Sequence, residues 1–140
     1  MKKTDILELA GRKLAPFMFL FGFYLVSYGD TSPGGGFQGG AVIASGVILL
    51  AMTRGVSVTQ RTFSVTSLSL TEAITFGLLI SFGVAGLLIG AGFLSDILGR
   101  GGPDALLPRA RSIYLLNVLI GVKVAAGTSL ISLSLFREDE

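Results

Sequence analysis

The sequence predicts an all-α, polytopic membrane protein with four transmembrane helices and both termini on the cytoplasmic side. Composition is the first reason. Hydrophobic residues make up 51% of the chain and charged residues only 14%, against about 25% charged in an ordinary soluble domain. The mean hydropathy is +0.75. The second reason is the placement of charge. None falls in Leu14–Gly29, Thr31–Thr53 or Ala73–Ser95, and Ser112–Phe136 holds only Lys123. A membrane-crossing helix needs about 17–25 mostly apolar residues, so four blocks qualify or nearly do. A soluble helical bundle is disfavoured, because too few polar residues remain to cover its surface.

The chain is expected to form one domain, residues 1–140, with spans at about 14–29, 37–53, 72–95 and 112–136. The first block is short, but Arg12 and Lys13 can snorkel and extend it. Thr4–Lys13 alternates apolar and charged residues and suits a short interfacial helix feeding that span. Pro16 is placed in the first turn of the span, where a missing N–H is tolerated. No A-x-A-like cleavage site follows the first block, so it reads as a span and not as a cleaved signal peptide. Orientation follows the basic residues. Lys2, Lys3, Arg12, Lys13, Arg54, Arg61 and Arg137 share one side, and Arg100, Arg109 and Arg111 the other; the richer side is cytoplasmic. Tyr24, Tyr28 and Tyr114 then fall on the poorer side, as an aromatic belt requires.

Between the first two spans runs GDTSPGGGFQGGAV, in which Pro33 and Gly34–Gly36 make a tight turn. Gly36, Gly40 and Ala44 follow at four-residue spacing, a ridge that lets another helix approach closely. Gly86 and Gly90 form a second such ridge, and Gly121 with Ala125 a third. The inward segment Arg54–Ser69 is Ser/Thr-rich with recurring apolar residues, and its pattern leaves extended and irregular interfacial structure open. Ser69-Leu70-Thr71-Glu72 matches a capping box and is expected to start the third helix, with Glu72 near its positive end.

Function classes narrow quickly. The chain has no cysteine and no histidine, which removes thiolate metal sites, the commonest metal ligand and the commonest general base. No catalytic residue, metal site or cofactor is expected. The small scattered net charge of +2 gives no reason to expect a nucleic acid. Gly34, Gly36 and Gly39 satisfy G-x-G-x-x-G, but the preceding strand and the acidic residue about 20 positions on are missing, as is the Gly-Lys-Ser/Thr of a phosphate loop. No nucleotide is expected there. If the flanking helices stop near Gly29 and Phe37, the turn lies slightly below the membrane surface, and Pro33–Gly40 becomes a buried packing element.

Lys123 is the prominent polar residue, near the centre of the fourth span, where charge is costly and usually functional. Asp30, Glu72 and Asp96 fall at span ends, so the expectation is that Lys123 pairs with another chain, faces a hydrated cavity or is neutral. A proton or ion relay and an intersubunit anchor both remain open. Asn117 is a weaker candidate that suits bridging between helices, and Glu72 has its capping role beside any part in an ion path.

The run Pro33, Gly34, Gly35, Gly36, Phe37, Gln38, Gly39, Gly40, lying between two of four short spans, resembles the B subunits of Mrp-type multisubunit sodium/proton antiporters. Related subunits occur in archaeal membrane-bound hydrogenases and sulfane sulfur reductases. Outside that run the likeness lies in length and four-span layout. Many antiporter B subunits have a histidine-containing stretch before the proline. YGDTSP replaces it here, which is more like the hydrogenase- and reductase-linked versions. The resemblance implies an accessory subunit of the cell membrane without redox centres, packed among small Mrp-type and large antiporter-like subunits. It would help form a path for Na+ or H+, with Lys123, Asn117 and Glu72 as the ion-path candidates. A purely structural subunit and a small self-assembling ion transporter are the alternatives. An enzyme is not favoured, because no nucleophile, base and ligand set is present.

Overall fold

The computed structural model describes residues 5–29, 34–90, 92–94 and 110–138. Among them are five helices: α1 (Asp5–Ser27), α2 (Gly36–Arg54), α3 (Val56–Thr62), α4 (Val65–Leu88) and α5 (Ala110–Glu138). Four of these, all but α3, are long and apolar enough to cross a membrane. The described residues contain no strand.

α2 and α5 form the centre. They run parallel, with Gly36 against Asn117 and Gly121, and Gly40 against Gly121, Val124 and Ala125. A Cβ built on Gly40 would lie 2.5 Å from the carbonyl oxygen of Gly121 and 2.9 Å from Val124 Cβ. Two of the three expected small-residue ridges therefore meet each other, and the absence of side chains lets the backbones nearly touch. α1 packs antiparallel on α2 through Gly22 against Ile43, Gly39 against Val26, and Gly11 against Thr53. α2 thus carries glycines toward both neighbours and has the largest buried share of the four long helices.

α4 packs antiparallel on α5 and makes no comparable contact with α1 or α2. The gap so left is an apolar cavity of about 350 Å³ between Phe23 and Ile43 on one side, Leu68 and Thr71 on another, and Val118 and Val122 of α5. These directions put the start of α1 and the end of α5 at one end of the bundle, as the four-span reading requires.

Several expectations need correction. The amphipathic N-terminal segment and the first span are one continuous helix, so Pro16 lies well inside α1 and not in its first turn. There it removes the bond that an N–H would make to the Arg12 carbonyl. The inward segment is neither extended nor irregular. Gly55, at φ 96°, breaks the chain after α2, α3 follows, and α4 begins at Val65. The cap is Ser64, whose hydroxyl accepts from the Ser67 N–H at 3.1 Å; the Ser69–Glu72 box lies inside the helix. Hydroxyls in this region are returned to the backbone. Thr59, Thr71 and Thr75 donate to the carbonyls of Gly55, Ser67 and Thr71 at 3.0, 2.8 and 2.6 Å, so a polar sequence runs as helix. Of the second ridge only Gly86 is helical. Gly90 lies past the end of α4 with nothing near its Cβ position.

The α3 turn closes the end of the bundle that holds the start of α1 and the end of α5. Val47, Ala51, Val56 and Leu133 form the buried cluster there, covered by Phe19, Phe63, Leu68 and Phe136. The Phe19 and Phe63 rings lie 6.1 Å apart, within the range of favourable aromatic pairs. At the other end Tyr24 and Tyr28 stack at 5.1 Å.

Candidate functional site

The moved start of α4 changes what Glu72 is. It sits two turns into the helix, on the stripe Leu68, Glu72, Thr75, Leu79 that alternates by four and three residues and turns toward α5. Its backbone carbonyl accepts from the Thr75 hydroxyl at 3.0 Å. Its carboxylate lies over Gly127 of α5 and meets Lys123 one turn away, Nζ to Oε1 at 3.3 Å. The expectation that Glu72 lies at a span end, leaving Lys123 to pair with another chain, face a hydrated cavity or be neutral, is corrected on the first point: Glu72 lies inside α4 and Lys123 has a partner in the neighbouring helix. Asp30 and Asp96, the other two carboxylates placed at span ends, lie outside the described residues. Gly127 provides the room. A Cβ there would stand 3.4 Å from the Glu72 carboxyl, ordinary contact, whereas a larger side chain would displace it.

Phe76, one turn after Glu72, presents its ring to the same ammonium, with Nζ 5.4 Å from the ring centroid. A cation within about 6 Å of a ring face is attracted by the ring quadrupole. Lys123 is therefore held by two side chains of α4 at i and i+4. Phe76 was not singled out by the sequence. Its four-residue offset from Glu72 was a usable signal, hidden by the capping-box assignment. The pair is partly open: side-chain exposures are 32% for Lys123 and 35% for Glu72.

Asn117, six residues before Lys123, makes a structural junction. Its amide donates to the Val26 carbonyl of α1 at 2.7 Å, and its oxygen accepts from the Gly36 N–H at the start of α2. One side chain thus satisfies an end carbonyl of α1 and an orphan N–H of α2, groups that helix termini leave unpaired. It bridges helices as the sequence suggested, and it is not in contact with the Glu72–Lys123 pair. The three ion-path candidates therefore divide, with Glu72 and Lys123 together and Asn117 apart.

Of the glycine run, Pro33 lies outside the described residues. Gly36, Gly39 and Gly40 are buried against α5 and α1, while Phe37 is 65% exposed and Gln38 faces outward. The run is thus buried on one side only. Among the described residues, no group of three His, Cys, Asp or Glu side chains could hold a metal.

Comparison with known proteins gives a consistent picture. A family model described as a domain related to the MnhB subunit of Na+/H+ antiporter matches residues 6–130. The B subunit of the Na+/H+ antiporter of Bacillus subtilis is 33% identical over 101 residues, covering 70% of this chain and 68% of that protein. An uncharacterised protein of Methanocaldococcus jannaschii is 33% identical over 133 residues, 90% of this chain and 50% of that one. A putative antiporter subunit of Staphylococcus aureus is 43% identical over 51 residues, 36% of each. This chain's match therefore spans only half of the archaeal relative and about a third of the staphylococcal one.

Proposed function

This chain belongs to the family of domains related to the MnhB subunit of Na+/H+ antiporters, and on that premise we propose that it is an accessory subunit of an Mrp-type cation/proton antiporter module. It is a multi-pass membrane protein, with four helices of the required length and apolarity. In this reading it is non-catalytic and works among other membrane subunits, and the Glu72–Lys123 pair forms part of a sodium or proton path.

The observation that carries the ion-path reading is the pair itself, an exposed-edged carboxylate and ammonium 3.3 Å apart within two membrane helices. Ionisable residues at such depth are expensive and usually mark an ion pathway. A positioned ammonium beside a carboxylate can pass a proton along, which a relay needs and a packing contact does not.

The test is Lys123→Ala, assayed as Na+/H+ exchange in everted membrane vesicles with a pH-sensitive dye. Exchange is expected to fall by about tenfold or more, within the cost of losing a positioned proton carrier, while the other subunits still co-purify. Exchange at the unmodified rate with the complex intact would reject the relay and leave the purely structural reading.

A further inference from the structure

The Glu72–Lys123 pair lies on one side of the α4–α5 seam, and the apolar cavity lies on the other. On the pair's side, α5 presents Ile120, Lys123, Gly127 and Ile131 at spacings of three and four residues, and α4 presents Glu72, Phe76 and Ile80 at spacings of four. Ile120, Ile131, Phe76 and Ile80 are all exposed. Together they form a shallow apolar groove with a glycine in its floor and an ion pair opening into it.

Hydrocarbon alone suits this groove poorly. Lys123 lies near the middle of the apolar span Ile113–Phe136, about 15 Å from its nearer end at 1.5 Å per residue, and is turned along the seam toward Glu72. A partly open charge at that depth needs polar company. The other half of the groove asks for a helix. Isoleucines above and below a glycine give a surface that an apolar helix can pack against closely, and a watery channel alone would leave Ile120, Ile131 and Ile80 wetted.

We propose that this groove docks a transmembrane helix of a different membrane subunit, one that sets a polar or ionisable side chain against Glu72 and Lys123. The proposal rests on the reading of this chain as a subunit of a larger assembly. The partner's polar group completes the hydrogen bonding of the carboxylate and ammonium, and its apolar residues cover Ile120, Phe76 and Ile131. The pair then sits where two subunits meet, and a proton or cation that reaches it passes to or from the neighbouring chain.

The test is site-specific photocrosslinking in native membranes, with a benzophenone amino acid at Ile120 or at Ile131 and an affinity tag on this chain. Neither substitution touches the ion pair. The expected result is an adduct whose mass is this chain plus one co-purifying membrane subunit, with the crosslinked peptide in a span that carries a polar residue within one turn. Adducts to lipid alone, adducts to a second copy of this chain, or no protein adduct within an intact complex would each overturn the docking proposal and leave the subunit reading standing. Purification of the tagged chain with no other subunit would overturn both.

Discussion

Replacing Gly40 with alanine adds one methyl group where the structure has none to spare. The new Cβ would stand 2.5 Å from the Gly121 carbonyl oxygen, 2.9 Å from Val124 Cβ and 3.1 Å from the Ala125 nitrogen. Two of those three are backbone atoms, which cannot rotate away. A carbon settles against a carbonyl oxygen at about 3.3 Å or more, so α2 and α5 must part by about 0.8 Å. A gap of that size forfeits about a quarter to a half of the dispersion energy of each contact it opens. In a bilayer that energy is a main driver of helix association. Overpacking of this kind costs about 1–3 kcal/mol, offset by about 1 kcal/mol from alanine's better helix propensity, for a net loss of up to about 2 kcal/mol. Gly77→Ala supplies the control, since nothing lies within 4 Å of its Cβ position and only the propensity gain remains. The assay is the fraction of monodisperse protein surviving a heating series in detergent. Gly40→Ala should shift the midpoint down and Gly77→Ala leave it level or raise it. Equal midpoints for the two variants would refute the close α2–α5 contact.

The ion pair and the asparagine junction give two further expectations. Lys123→Met alone strands the Glu72 carboxylate, which costs about 1–2 kcal/mol once the 3–5 kcal/mol of a fully buried pair is discounted for partial exposure. The double variant Lys123→Met with Glu72→Leu should recover most of the loss in the same heating series, and an additive loss would deny the coupling. Asn117→Leu removes the partners of the Val26 carbonyl and the Gly36 N–H and should cost about 1–3 kcal/mol. Amide hydrogen exchange at Gly36 is expected to accelerate in that variant, and unchanged protection there would count against the junction.

The four spans were legible because the bilayer imposes length and apolarity at once, and few soluble patterns imitate both. The α2 and α5 ridges were legible as well, since small residues four apart have one common use in such helices. That the two ridges would face each other was not visible, because spacing marks a face without naming its partner. The start of α4 was missed for a chemical reason. Ser64, Thr66 and Ser67 look like part of a polar loop until Ser64 is seen to cap a helix and the Thr71 hydroxyl to bond back to the Ser67 carbonyl. A true capping pattern at Ser69–Glu72 then drew the boundary several residues late, and with it Glu72 moved from the helix interior to its edge. The Glu72–Lys123 contact was hidden by that one error. Asn117's bridging role was legible in kind, but its two partners lie 81 and 91 residues away, beyond what local pattern can reach.

The parallel meeting of Gly36 and Gly40 with Gly121 has a mechanical consequence. Where Gly40 crosses Gly121, main chain rests on main chain, with no long side chain between them to change rotamer and absorb a displacement, and close-packed interiors yield little to strain. The two helices act as one stiff strut. A push delivered at the rim of the molecule, on α4 or α1, therefore crosses it as a shift of that strut as a whole, and the compliance lies in the outer helices that hang from it.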